Sequence, residues 1–194
     1  MKWTYLDIRQ ITPEDFERWY AMADGQRQKK ADRYRFPDDR LRSIAGDHLA
    51  RMGLAEYCGI DPASVRFART EKGKPYASGL DAHFSISHSG HLVVCALSDR
   101  PVGIDVERIR PIKEELAKRV CTAPELFWMQ SAPGWGQTLT GEAMIRFFRI
   151  WTSKEAWFKM TGTGITDLQS FDTLEHIRNG GTFELEGHMV SIYE

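Results

Sequence analysis

The segment F-F-R-I-W-T-S-K-E-A-W-F-K, residues 147–159, has the spacing of an amphipathic helix and also carries charges beside its apolar stripe. Wound at 3.6 residues per turn, Phe147 and Phe158 lie on one stripe with other apolar residues. Lys154 and Glu155 fall on or next to that stripe, where a charge needs an ion pair, a metal or water. Two interpretations stay open: an ordinary Lys–Glu ion pair at the edge of a core, or a carboxylate facing a cation with lysines facing an anion.

The composition describes a globular protein without a dominant charge. The chain has 194 residues, 42% of them hydrophobic, and a net charge of -1, so no global field attracts nucleic acid or an anionic membrane. Cys58, Cys95 and Cys121 are far apart and form no C-x-x-C, which is typical of a reducing compartment. We find no secretion signal and no apolar run long enough to span a bilayer, and we expect a cytoplasmic protein.

Hydrophobic periodicity and turn residues predict an α+β chain in two halves. The Leu41–Cys58 helix is expected to be capped by Asp38 or Asp39, and Leu92–Leu97 to be a strand buried on both faces. The Pro- and Gly-rich joints near 101–111 divide the chain into subdomains 1–101 and 102–194. The predicted strands are 3–8, 65–68, 84–88, 92–97, 102–107, 182–186 and 188–193.

Two carboxylates leave the same face of the strand V-G-I-D-V-E. Asp105 and Glu107 are two residues apart, and alternate residues of a strand point the same way. Carboxylates that share a face repel each other unless a cation lies between them, and Mg²⁺ commonly takes one or two carboxylates together with substrate phosphate. Glu155 would complete such a set. The alternative is a strand edge facing solvent.

Other candidate anion contacts are weak when taken singly. Ser87 and His88 stand at a strand end, where the histidine either caps the backbone or contacts a phosphate. Lys74, in a glycine-bounded loop, is either ordinary surface or an anion contact. The basic run of residues 27–35 is either a solvated helix face or a docking site for phosphate or an acidic partner.

The combination of motifs resembles the 4′-phosphopantetheinyl transferase superfamily. G-I-D-V-E at 103–107 and W-T-S-K-E-A-W-F-K at 151–159 are similar to its two signature motifs, and G-K-P-Y at 73–76 and F-S-I-S-H-S-G at 84–90 also match. The resemblance is closest to the two-domain surfactin-synthetase-activating type and covers roughly residues 1–175. Four motifs in this order are specific together, whereas D-x-E alone is not.

The resemblance implies a fold and an activity. The fold is a pseudo-dimer of two similar α+β subdomains with the active site between them. The activity is Mg²⁺-dependent transfer of the 4′-phosphopantetheine arm of coenzyme A to a serine of an acyl or peptidyl carrier protein, with release of adenosine 3′,5′-bisphosphate. Mn²⁺ is an alternative metal, because oxygen ligands suit both ions. We expect a monomer with no nucleic-acid or membrane partner.

The resemblance also implies residue roles. Asp105, Glu107 and Glu155 would hold the metal, and Lys159 and Lys154 would face the pyrophosphate. The residues implied in contacts with the nucleotide and its phosphates are Arg27, Lys30, Arg42, Ser43, Lys74, Ser87 and His88, with His88 also a candidate catalytic group.

Glu125 has two interpretations that remain open. It matches the acidic residue that the family uses after its D-x-E strand, a candidate base for the carrier serine. It is also the third residue of a capping box that begins at Thr122, and both roles are compatible.

One departure from the family and two other functions complete the hypotheses. Relatives continue beyond S-I-Y-E with a further apolar strand, so we expect the second half to lack a counterpart of Leu92–Leu97. One alternative is a Mg²⁺-dependent pyrophosphate hydrolase, which would cleave coenzyme A without a carrier. The other is a non-catalytic module that binds coenzyme A or a carrier, and its binding would persist after Asp105→Ala. The pathway of the carrier is not encoded in these motifs.

Overall fold

The computed structural model describes residues 1–194 and confirms the predicted α+β class. The chain divides into two compact units, Met1–Val102 together with Glu194, and Gly103–Tyr193. Each unit has its own three-stranded antiparallel sheet and its own long helix. No helix combines the length and the apolar character that crossing a bilayer would require.

The first unit contains five strands, of which two are short, and three α-helices. Its main sheet has the order β1-β5-β4, with the short β2–β3 pair separate from it. The elements are β1 (Lys2–Asp7), α1 (Pro13–Met22), α2 (Gly25–Ala31), α3 (Pro37–Cys58), β2 (Phe67–Arg69), β3 (Pro75–Ala77), β4 (His83–Ser89) and β5 (Leu92–Ser98).

Local signals set the helix ends of this unit, with one correction. Thr12 caps α1 through a reciprocal pair of hydrogen bonds with Asp15, as its sequence indicates. The predicted cap of α3 at Asp38 or Asp39 is wrong: Phe36 is the cap residue and makes no side-chain bond. Pro37 occupies the first turn, where its missing N–H costs nothing, and the two aspartates follow it there, favoured by the helix dipole.

The core of the first unit lies between α3 and the sheet. Every residue of β5 is buried, which confirms the prediction of a strand covered on both faces. A Cβ on Gly53 would lie 2.9 Å from the side chain of Leu97, and one on Gly46 would lie 3.1 Å from that of Ile86. Small residues on one side of α3 therefore let the helix pack close to β4 and β5.

The second unit repeats this plan with a different set of connections. Its main sheet has the order β6-β10-β9, and a small β7–β8 pair stands apart from it. The elements are β6 (Gly103–Arg108), β7 (Ile112–Lys113), α4 (Glu114–Val120), α5 (Ala123–Gln130), β8 (Thr138–Leu139), α6 (Gly141–Thr161), α7 (Leu174–Arg178), β9 (Thr182–Leu185) and β10 (His188–Tyr193).

The expectation that the second unit lacks a counterpart of Leu92–Leu97 is wrong. β10 is the central strand of its sheet, as β5 is of the first, and Val190 pairs with Val106 on one side and Phe183 on the other. The polar residues of β10 conceal this position in the sequence. Ser191 is fully buried, but its hydroxyl is satisfied by Thr152 of α6 at 2.6 Å, so a central strand tolerates it.

The predicted helix over residues 147–159 lies within α6. Phe147, Ile150 and Phe158 are buried along it, as the periodicity indicates. The helix ends at Gly162, which adopts φ +68° and whose N–H donates to the Phe158 carbonyl. Only glycine takes this left-handed conformation without a steric penalty.

Candidate active site

Strand β6 passes against the backbone of α6 at Gly103. A Cβ at this position would lie 1.9 Å from the carbonyl oxygen of Ala156 and 2.5 Å from the amide nitrogen of Met160. No side chain fits there, since both neighbours are main-chain atoms. Gly103 therefore sets how closely the D-x-E strand approaches the helix that carries Glu155.

The side chains of Asp105 and Glu107 leave β6 on the same face as Gly103, which is the face toward α6. Asp105 is only 3% exposed and Glu107 is half-buried. The ammonium nitrogen of Lys159, in the last turn of α6, lies 2.5 Å from Asp105 Oδ1. Asp105 of β6 and Lys159 of α6 therefore form an ion pair where the strand packs against the helix.

Glu155 belongs to the same electrostatic neighbourhood. Its pKa is raised to about 7, first by burial and then by the charges of Asp105 and Glu107, while the nearby Lys159 partly offsets the rise. A carboxylate with a raised pKa beside two other carboxylates is a group that gains from a cation. The donor set of three carboxylates from a strand and a helix suits a hard divalent ion with oxygen ligands.

Buried hydroxyl groups fix α6 on the sheet beside this cluster. Ser191 is the cross-strand neighbour of Asp105, and its hydroxyl lies 2.6 Å from Thr152 Oγ1 and 3.3 Å from Ser153 Oγ. Thr152 donates its single hydroxyl hydrogen to the Phe148 carbonyl, so Ser191 is the donor to Thr152. This contact joins β10 to α6 one turn before Glu155.

Glu125 and Lys154 form a fully buried ion pair within the second unit. Both side chains are 0% exposed, and Lys154 Nζ lies 3.1 Å from Glu125 Oε2. The capping box is confirmed, since the Thr122 hydroxyl accepts from the Glu125 amide and the Thr122 amide donates to Glu125 Oε2 at 2.7 Å. The Lys154 ammonium also donates to the carbonyls of Leu168 and Phe171, each at 2.6 Å.

The candidate nucleotide contacts of α2 and α3 lie in the first unit. Arg27 Nε is 3.3 Å from Asp47 Oδ1, and its terminal nitrogen is 3.5 Å from Ser43 Oγ. Arg42 is held by Asp39 at 2.5 Å and by the Gly90 carbonyl at 2.5 Å. These arginines are therefore fixed in place by neighbouring acceptors.

A cavity of about 650 Å³ in the first unit is rich in positive charge. Asp24 contributes one carboxylate, and the remaining charges are basic. The basic residues that line it are Arg27, Lys30, Arg33 and Arg69.

The remaining candidates stand on the strands and loops of the first unit. Ser87 is buried near the end of β4, whereas the next residue, His88, is exposed. Lys74 is half-buried, and burial lowers its pKa.

Family models match almost the whole chain. The model for 4′-phosphopantetheinyl transferase, N-terminal, matches residues 10–100, and the model for the 4′-phosphopantetheinyl transferase superfamily matches residues 101–191. The chain is 34% identical to the 4′-phosphopantetheinyl transferase Sfp of Bacillus subtilis strain 168 over 174 residues, which is 89% of this chain and 75% of the relative.

Further relatives of this chain are also 4′-phosphopantetheinyl transferases. A Bacillus subtilis 4′-phosphopantetheinyl transferase is 33% identical over 94% of this chain and 78% of its own length, and the transferase gsp of Aneurinibacillus migulanus is 37% identical over 72% and 56%. The chain belongs to the 4′-phosphopantetheinyl transferase superfamily. The predicted family and the transferase class are thereby confirmed.

The geometry adds residues to this transferase that sequence reasoning missed. Arg69 lines the basic cavity beside Arg33 of the predicted basic run, but it lies outside that run and carries no motif of its own. Asp47 is buried between Arg27 and Arg51, and its position on the buried side of α3 is the signal that could have found it. Burial raises the pKa of Asp47, and the charges of the two arginines offset part of that rise.

Proposed function

We propose that this transferase moves the 4′-phosphopantetheine arm of coenzyme A to a serine of an acyl or peptidyl carrier protein and releases adenosine 3′,5′-bisphosphate. One observation carries the proposal: the D-x-E strand lies against the helix turn that bears Glu155 and Lys159, with Lys159 2.5 Å from Asp105. Carboxylates for a cation and an ammonium for phosphate oxygens are thus concentrated in one place.

Asp105, Glu107 and Glu155 are the residues that would hold the divalent ion. Burial, together with the charges of Asp105 and Glu107, raises the pKa of Glu155 to about 7, and a cation among the three carboxylates would relieve this repulsion. Such an ion supplies Lewis-acid stabilisation of charge on the diphosphate oxygens. We propose Mg²⁺, with Mn²⁺ as the other ion that an all-oxygen site accepts.

Lys159 is the residue we assign to the diphosphate. Attack of a serine hydroxyl on the β-phosphorus places negative charge on the phosphate oxygens, and a nearby ammonium stabilises that charge where it develops. Its position at the end of α6, packed beside Asp105, restricts the directions in which the flexible lysine side chain can point.

The first unit would bind the nucleotide end of coenzyme A. Arg27, already oriented by Asp47, and Lys30 in the basic cavity are proposed contacts for the 3′-phosphate. These contacts position the coenzyme without taking part in the chemistry. Further proposed contacts are Arg42, Ser43, Lys74, Ser87 and His88.

A carrier assay tests this function. The protein is incubated with coenzyme A, Mg²⁺ and several apo-carriers from fatty-acid, polyketide and peptide pathways, and each carrier is weighed by mass spectrometry. We expect a gain of one phosphopantetheine arm, dependent on the metal and absent when the acceptor serine is replaced by alanine. Coenzyme A cleavage without any carrier, or coenzyme binding with no transfer to any carrier, would contradict the proposal. Placement in the cytoplasm stays a prediction from the sequence.

A further inference from the structure

We propose that Glu125 and Lys154 act as a buried clamp that positions the α6 turn carrying Glu155, and that Glu125 does not take the proton of the carrier serine. The inference rests on the proposed function, because it concerns the metal-binding turn. It assigns both residues as positioning residues, in place of a base and a pyrophosphate contact.

All the acceptor positions of Glu125 are occupied within the fold. Oε1 accepts from the amide of Thr173 at 2.8 Å and from its hydroxyl at 2.9 Å, and Oε2 accepts from the Thr122 amide at 2.7 Å and from Lys154 at 3.1 Å. A carboxylate offers about four lone-pair sites, and four donors fill them. A general base must come within hydrogen-bond distance of the proton it accepts, and the 0% exposed carboxylate leaves no approach for a serine of another protein.

All the hydrogen-bond donors of the Lys154 ammonium are also used within the fold. Its three N–H groups match three acceptors, namely the Leu168 and Phe171 carbonyls and the Glu125 carboxylate. The Phe171 ring lies 4.8 Å from the same nitrogen and covers it further. The side chain therefore binds the segment that follows α6, and no N–H is left for a diphosphate.

Contacts on two opposite sides of α6 fix the orientation of this helix. On one side, Ala156 touches Gly103 of β6 and Lys159 reaches Asp105. On the other side, Lys154 holds α5 through Glu125 and the chain at residues 168–173. With both sides fixed, α6 cannot roll, and Glu155 is held at the β6 carboxylates.

Removal of one charge of the Glu125–Lys154 pair should strongly lower the stability of the fold, whereas removal of both charges should lower it much less. Glu125→Gln leaves the Lys154 ammonium buried without its counter-charge, and Lys154→Met leaves the carboxylate in the same state; each is strongly destabilising. In the double variant E125Q/K154M neither charge remains. The oxygen of the introduced amide would still accept from Thr173, but its NH₂ group takes the place of the oxygen that accepts from the Thr122 amide, so E125Q loses this capping bond with or without K154M. Because an unpaired buried charge costs more than one capping bond, the second substitution should still rescue most of the loss caused by the first.

The test uses the full chain, with three readouts for each variant: the urea midpoint, Mn²⁺ affinity by electron paramagnetic resonance, and kcat/KM for transfer. We expect each single variant to lose at least about tenfold in Mn²⁺ affinity and about a hundredfold in kcat/KM, and the double variant to recover to within about tenfold of the wild type. The pH profile of the double variant should match that of the wild type. The matched control is the surface pair Glu114–Lys118 of α4, in which the lysine is exposed and the glutamate half-buried; E114Q, K118M and their combination should change the urea midpoint far less than E125Q or K154M does.

The opposite outcome is equally clear. If Glu125 is the base, E125Q/K154M folds and binds Mn²⁺ but stays as inactive as E125Q, and that result overturns the clamp. If Lys154 contacts the diphosphate, the losses of the two single variants multiply in the double variant, with the same consequence. E125Q alone provides a second measurement: wild-type Mn²⁺ affinity together with abolished transfer refutes the clamp. Failure of the proposed function looks different, because the wild type itself would not transfer the arm.

Discussion

Replacement of Gly103 by alanine tests the contact on which the proposed site depends. The new Cβ would lie 1.9 Å from the Ala156 carbonyl oxygen and 2.5 Å from the Met160 nitrogen, whereas ordinary contact begins at 3.4 Å. The strand and the helix would have to separate by about 1.5 Å along the shorter contact, and neither neighbour is a side chain that can rotate away. Overpacking of this kind costs about 1–3 kcal/mol or more in the free energy of unfolding.

The same displacement moves the Asp105 and Glu107 carboxylates away from Glu155. A misplacement of about 1 Å commonly lowers a rate by about a hundredfold, so G103A should lose transfer activity beyond what its stability loss explains. Urea unfolding gives the stability, Mn²⁺ titration gives the integrity of the carboxylate cluster, and carrier mass spectrometry gives the rate. Gly136→Ala is the matched control in the same unit, because no atom lies within 4 Å of its Cβ. A G103A protein with the urea midpoint, Mn²⁺ affinity and rate of the wild type would refute the close approach of β6 to α6.

Three further predictions concern charges and thiols. The pKa of Glu155 in the folded state is about 7 against an ordinary value of 4.5, so without metal the free energy of unfolding should fall as the pH rises from 4.5 to 7. The total fall should be about 2 kcal/mol after solvent screening, with no effect of this group below pH 4.5. Urea titrations at several pH values measure it, and the pH dependence should disappear in Glu155→Gln. Asp105→Asn should weaken Mn²⁺ binding and lower transfer by about a hundredfold or more, and unchanged Mn²⁺ affinity would exclude this residue as a ligand. Native alkylation with iodoacetamide, followed by mass spectrometry, should label only half-buried Cys58, because Cys95 and Cys121 are buried and burial raises the pKa of both, that of Cys95 to about 12.

Local signals were sufficient for much of the fold. The Thr12 cap, the apolar run of β5 and the Gly162 stop of α6 each follow from short-range chemistry that a sequence displays directly. The start of α3 was misplaced by the same kind of reasoning. Two aspartates look like caps, but Pro37 favours the first helical turn, and the preceding Phe36 takes the cap position without a side-chain bond.

Contacts between elements were beyond the reach of those signals. A sequence shows that Gly103 is a glycine but does not show that the Ala156 carbonyl lies where its Cβ would be. Ser191 likewise lowers the apparent hydrophobicity of β10, and only the position of Thr152 reveals that the hydroxyl is satisfied in a central strand. Both facts depend on where α6 crosses the sheet, which is a long-range property of the chain.

Glu125 illustrates how a correct local interpretation can leave a functional question open. The capping box explains one of its oxygens through Thr122, and that motif alone is compatible with a second oxygen free to act as a base. The tertiary fold supplies what the motif lacks, because Thr173 and Lys154 arrive from elsewhere in the chain and occupy the remaining positions. An acid next to a catalytic strand is therefore better judged by counting its partners than by its distance in sequence from the D-x-E motif. By that count Glu155, whose raised pKa reflects burial among like charges, is the carboxylate that gains most from a ligand, and Glu125 is the one that the fold itself already satisfies.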